Sequence, residues 1–353
     1  MVALVAFVLG SFLQAQPPSP AQAPDRWLLA FVETSATHVR LQAVSVVSDD
    51  VAWVSGLEGT FGRTTDGGNT WEIGVVEGAE ELQFRDLHAV SSEVAYLLSA
   101  GPGTQSRIYK TMDGGKSWAL QFANDEPEGF FDCMDFWDAS HGLAYGDSVR
   151  GELVVLATED GGTWRPVPQE ALPRARDGEG GFAASGTCVV TQGDSVAYIA
   201  TGAGSARVLR TSDRGRSWDS FATPVVGDSE TSGLTSVAFA KTGDGLAAGG
   251  DISTPESTQP NVAVTSDGGG SWQLATSPFL GPVYGVAGVP GTSPPVFVAV
   301  GPKGAAYTRD GAVSWTALSD ESFWSVGFGP SGRGYMVGPD GRITRLEPRF
   351  RAR

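Results

Sequence analysis

A chain of 353 residues has room for one to three domains, and its 48 glycines, 10 tryptophans and 18% charged residues point to many short strands joined by tight turns. The net charge of −16 repels phosphate backbones and sets nucleic acid aside as a partner. Two cysteines and three scattered histidines (His38, His88, His141) supply no metal-ligand cluster, so no metal and no cofactor is expected.

In chain order, the first feature is an apolar run from Val2 to Leu13, too short to span a bilayer and suited to a signal-peptide core. Residues 1–15 therefore read as a signal peptide, with Leu13-Gln14-Ala15 as the cleavage site, although no Lys or Arg precedes the run. Residues 16–25, rich in Pro and Gln, read as a flexible spacer, and residues 348–353 as a short basic tail. The mature chain is expected to be exported, periplasmic or extracellular, monomeric and without a transmembrane span.

From residue 26 to 347 one pattern repeats. Apolar runs such as "LQAVSVV" (Leu41 to Val47), "VAWVSG" (Val51 to Gly56) and "WEIGVV" are bounded by Gly, Ser and Asp, the signal of antiparallel strands. Each unit carries a turn with an aspartate, glycines and a tryptophan. The pairs are Asp66 and Trp71, Asp113 and Trp118, Asp160 and Trp164, Asp213 and Trp218, Asp267 and Trp272, and Asp310 and Trp315. The spacing is that of one four-stranded propeller blade. The aspartate accepts backbone hydrogen bonds, glycine supplies positive φ, and tryptophan wedges between neighbouring sheets, so these twelve residues are read as structural. The turn at Trp164 is one residue short and Ala312 replaces a glycine, so those two are expected to be the less regular ones.

A seventh unit, "FWSVGFG", "RGYMVG" and "GRITRLE", lacks its last strand, and "WLLAFVET" from Trp27 resembles the strand that follows each Asp turn. Pairing the two closes the ring and removes an exposed sheet edge. The expected fold is all-β, a seven-bladed propeller of four-stranded antiparallel blades whose N-terminal strand completes the C-terminal blade. Cys133 and Cys188 then fall on first strands of adjacent blades. An even count permits a disulfide, but their non-equivalent positions favour buried free thiols.

The Ser/Thr-x-Asp-x-Gly-x-x-Trp pattern is that of the Asp-box, or bacterial neuraminidase repeat. With the leader, the repeat period and the terminal closure, residues 25–347 resemble the photosystem II stability and assembly factor-like family of seven-bladed propellers. The resemblance implies a scaffold that binds a protein or peptide client, an envelope or membrane protein among the possibilities. Asp-boxes also occur in sialidases, xyloglucan hydrolases and sortilin-type receptors, so a glycoside hydrolase is the alternative. Against it stand the lack of an Arg-Ile-Pro type sialidase motif and material for only one propeller. An oxidoreductase, as some relatives are named, lacks a dinucleotide fingerprint here, and no Gly-x-Ser-x-Gly elbow is present.

Strand order puts the Asp turns on one face and the irregular loops on the other. The latter include "NDEPEG", "PVPQEALPRARDGEGG", "GDSVRGE" and "GGDISTPESTQPN". Arg85, Asp86, Asp132, Asp147, Asp251, Tyr284 and Trp324 lie near these loops and are the candidate lining of the channel mouth. The same charged residues also suit an interblade ion-pair set.

Overall fold

Runs of alternating or continuous apolar residues, cut every few positions by turn-forming Gly, Asp and Ser, become strands in a computed structural model that describes residues 28–35 and 37–348. The leader (1–15), the spacer (16–25), Trp27 and residues 349–353 of the basic tail lie outside the described residues. The described chain forms seven separate four-stranded antiparallel sheets. The innermost strands are Leu41–Val46, Phe84–Ala89, Phe131–Phe136, Val189–Gln192, Ser232–Phe239, Gly285–Val289 and Ser325–Phe328. Each packs against the next around the ring, and the seventh packs against the first.

The last blade takes its outermost strand from the other end of the chain. Leu28–Ser35 pairs antiparallel with Arg342–Pro348, with a register shift between Phe31 and Glu33. This is the expected closure, and it leaves both ends of the propeller tied into one sheet.

The blades are held together by aromatic wedges. Trp118 of the second blade meets Phe61 of the first edge-on at 5.1 Å, and Trp71 of the first meets Tyr335 of the seventh at 5.6 Å. A cation on the third strand of a blade reaches the next blade: Lys110 Nζ donates to Gly161 O at 2.8 Å, and Arg345 Nη1 to Gly67 O at 2.9 Å.

The Asp turns share one geometry. In the first, Asp66 Oδ1 accepts from the Thr70 amide (2.9 Å) and the Thr64 hydroxyl (2.9 Å), while Oδ2 accepts from the Thr70 hydroxyl (2.7 Å). Bonds from Thr70 hold the Asp66 carboxyl down to about 2, and those from Ser117 do the same for Asp113. The short third turn is irregular as expected, its Asp160 accepting from Gly162 and Thr163. The sixth keeps the common form instead: Ala312 adopts φ +60° and its amide still donates to Thr308 Oγ1 at 3.0 Å.

Candidate functional site

The loop-rich mouth of the channel is closed by the chain itself. After the third blade, Gly180–Thr187 leaves the rim, crosses the channel and only then enters the fourth blade. It bonds to blades all round the ring. Tyr145 Oη donates to Gly180 O (3.0 Å), and the Gly181 amide donates to Asp147 Oδ1 (2.9 Å). Gln42 Nε2 donates to Ala183 O (3.0 Å), Ser325 Oγ to Ser185 O (2.7 Å), and Ser185 Oγ to Tyr284 O (2.7 Å). The Val237 amide donates to Thr187 O (3.1 Å). At its glycines this path leaves no room for a side chain. A Cβ on Gly181 would come within 2.5 Å of Asp132 Oδ2, and one on Gly186 within 2.2 Å of Asp86 Oδ1.

A buried ion pair fixes the approach to this plug. Arg207 grips Glu179 with a two-pronged fork, Nε to Oε1 and Nη2 to Oε2, both at 2.6 Å. Ser205 Oγ and the Arg176 amide satisfy the remaining lone pairs at 3.0 and 2.8 Å. Burial pushes the Glu179 carboxyl up, but the Arg207 fork and the Arg176 amide outweigh it and hold it below its ordinary value.

The far end of the plug is fastened covalently, which corrects the free-thiol expectation. Cys133 and Cys188 form a disulfide with Cα atoms 5.8 Å apart, both residues fully buried. The expectation placed Cys188 on the first strand of its blade. In the structure that strand begins only at Val189, because the preceding residues belong to the channel crossing. Cys188 is thereby brought beside Cys133 of the neighbouring blade.

The structure sorts the candidate mouth residues into three groups. Asp86, Asp132 and Asp147 lie beneath the plug. Asp86 is 2% exposed and accepts the Leu87 and Met134 amides at 2.6 Å each. Asp132 is 1% exposed, and its Oδ2 has no hydrogen-bond partner among the described residues. Burial pushes all three carboxyls up, and the neighbouring Asp147 adds to the shift at Asp132, while Arg85 opposes it. Asp251 stands apart, its carboxylate accepting from the amide and hydroxyl of Ser253 and the hydroxyl of Thr254 within its own loop.

Arg85, Tyr284 and Trp324 remain, and they form an arc with Arg40. Tyr284 stacks on Trp324 with ring centroids 4.6 Å apart, and the Arg40 guanidinium lies 4.3 Å above the Trp324 ring. Arg85 donates from Nε and Nη2 to Gln83 Oε1 at 3.0 and 2.6 Å. Burial lowers the pKa of Arg85, and repulsion from Arg40 lowers it further; burial does the same at Arg40. Neither arginine forms an ion pair among the described residues, and Arg40 Nε is buried without a hydrogen-bond partner there. Arg40, Gln42, Gln83 and the plug were not anticipated. The glycines and small residues of "GGFAASG", broken only by Phe182, were the signal that this loop enters a narrow space.

Buried carboxylates and hydrogen-bonded ones move stability in opposite directions with pH. For Asp86, Asp132 and Asp147 the folded pKa exceeds the unfolded one, so the folded state holds more protons between the two values. Stability falls as pH rises through that window and is regained on mild acidification. Asp66 and Asp113, held down to about 2, contribute stability above the unfolded carboxylate range that is lost as pH drops toward 2. The urea midpoint is expected to peak at mildly acidic pH, with Asp132→Asn flattening the neutral side. A midpoint that is level from pH 7 downward and indifferent to that substitution contradicts this.

Below the plug the channel keeps a cavity of about 390 Å³, walled by residues of the innermost strands, with His88 Nδ1 held by Asp135 Oδ1 at 2.8 Å. Among the described residues no group of three or more His, Cys, Asp or Glu is placed to hold a metal ion, and no helix is long and apolar enough to cross a membrane.

Fold and mouth together define a seven-bladed β-propeller with a floored, partly cationic and aromatic cup on one face. No family profile matches the chain. It resembles Ycf48, a photosystem II assembly protein: the Synechococcus protein is 30% identical over 129 residues, 35% of this chain and 37% of that relative. The match thus spans little more than a third of the curated relative.

Solved structures agree on the fold. Ycf48 bound to a D1 peptide superimposes with a TM-score of 0.64 at 17% identity, covering 90% of this chain and 96% of that one. Ycf48 from Cyanidioschyzon merolae gives 0.61 at 17% identity, over 89% and 98%. A GH74 xyloglucanase from Xanthomonas campestris gives 0.58 at 16% identity, over 89% of this chain and 53% of its own length.

Proposed function

We propose that this protein is a non-enzymatic, exported binding or assembly scaffold that holds a protein or peptide client on its loop-rich face. The observation that carries the reading is the arc of Tyr284, Trp324, Arg40 and Arg85. Two partly desolvated guanidinium groups repel each other, with the buried Asp132 offsetting this in part at Arg85, and a client carboxylate relieves both the repulsion and the desolvation. The stacked rings beside them take an apolar or aromatic neighbour of that carboxylate. Ycf48 has been solved with a bound D1 peptide, which supports a peptide as the class of client. Export rests on the Val2–Leu13 run.

A glycoside hydrolase needs two carboxylates about 5 to 10 Å apart across an open cleft. Asp132 and Asp147 are covered by the chain's own Gly180–Ala183 segment, and Asp251 is engaged within its loop. The xyloglucanase likeness therefore supports the fold, and Asp132, Asp147 and Asp251 are not placed as its acid pair.

The test is a peptide array probed with the parent and with Arg40→Ala/Arg85→Ala. Retained peptides are expected to share a carboxylate next to an apolar or aromatic residue, and to lose about tenfold or more in affinity, roughly 1.4 kcal/mol, in the variant. Equal retention by the folded variant contradicts the reading. Release of reducing sugar from a glycan panel would replace it with the hydrolase.

A further inference from the structure

Two of the three Asp turns that depart from the common sequence stand side by side, at the boundary between the third and fourth blades. The third is a residue short, and its outgoing strand is only Arg165–Pro166. In the fourth, "SDRGRSW", Arg214 occupies the position that is glycine in every other copy. It adopts φ +62°, where Gly67, Gly114, Gly161, Gly268 and Gly311 have φ between +63° and +75°. An L side chain rarely takes this conformation, so Arg214 sits there at a cost that glycine does not carry.

Both departures open onto one cavity of about 480 Å³, within the range of small-molecule sites. Its floor is apolar, from Pro166, Val167 and Ala171, and Arg165, Arg214 and Arg216 line it as well. One wall is fixed in place, with the Trp218 amide donating to Ala171 O at 3.0 Å and Gln169 Nε2 to Leu153 O at 2.9 Å. Arg214 is oriented by its Nε donating to Asp194 O at 2.6 Å and by Asp138, 3.5 Å from Nη2. The Arg165 and Arg216 guanidinium groups make no hydrogen bond or ion pair with a described residue. Glu159 and Glu170 also line the cavity, and neither pairs with these arginines. With Arg214 facing Asp138, the cationic groups of the cavity without an ion-pair partner among the described residues are Arg165 and Arg216, on a chain of net charge −16.

We propose that this cavity binds a small organic carboxylate with an apolar body. The arginine forks match a carboxylate, and the proline, valine and alanine floor takes the hydrocarbon part. The site lies on the outer rim and is separate from the channel-mouth arc.

The test titrates the full chain calorimetrically with phenylacetate and with neutral phenylacetamide. Phenylacetate is expected to bind saturably, and Arg165→Ala/Arg216→Ala to weaken it about tenfold or more, while the amide binds weakly to both. Arg214→Gly restores the residue that the other turns carry, so it folds, and its weaker phenylacetate binding reads the lost guanidinium directly. Arg40→Ala leaves this binding unchanged. No saturable binding by about 10 mM, equal binding of acid and amide, or unchanged binding in the Arg165, Arg214 and Arg216 variants overturns the proposal.

Discussion

Arg207→Met lowers the free energy of unfolding by about 3 to 5 kcal/mol, because it leaves the Glu179 carboxylate buried without its counter-charge. The size of the effect comes from burial. The Arg207 side chain is 6% exposed and that of Glu179 is not exposed at all, so water cannot replace the fork. The loss is also local in origin, since Glu179 positions the residues that enter the channel. Amide exchange at Gly181–Thr187 should therefore rise more than in the blades. Glu179→Gln added to Arg207→Met removes the orphaned charge and recovers part of the loss, which separates the electrostatic term from lost packing. A single-variant change within about 1 kcal/mol in urea would show that the pair is solvated and the account of the plug mistaken.

Cys133→Ala/Cys188→Ala costs about 4 kcal/mol on chain-entropy grounds, and within roughly 2 to 5 when native-state relaxation is allowed for. The cysteines are 55 residues apart, so the bond closes a long loop in the unfolded chain. In the folded chain it ties the exit of the plug to the third blade. Reductant should lower the urea midpoint of the parent to that of the double variant and leave the variant where it is. A parent indifferent to reductant after unfolding and refolding would return the cysteines to free thiols.

How much of this was legible in the sequence depended on how local the cause was. The Asp turns are closed by residues within five positions of each other, so repeat, strand order and blade count could all be read from the chain. Closure by the N-terminal strand was also readable, because an incomplete last unit and a spare first strand leave one economical pairing. The plug was not, since its partners Gln42 and Ser325 lie 141 and 140 residues from their acceptors. Its effect spread to the cysteines, which were misjudged because the loop shifts where the fourth blade begins. It spread to the carboxylates as well: Asp132 and Asp147 have the right residue type near the right loops, yet they support the chain's own backbone. Arg40 was missed because it precedes the strand pattern by one residue, and only the fold stacks it on Trp324 from the other end of the chain.

The most direct test of the central claim is amide hydrogen exchange of the full chain with and without a peptide selected on the array. Protection is expected in the stretches around Arg40, Gln83 to Asp86, Tyr284 and Trp324, with the Asp-turn face unchanged and the pattern lost in Arg40→Ala/Arg85→Ala. Protection confined to the Asp turns, or retained in that variant, would place the client elsewhere and contradict the account.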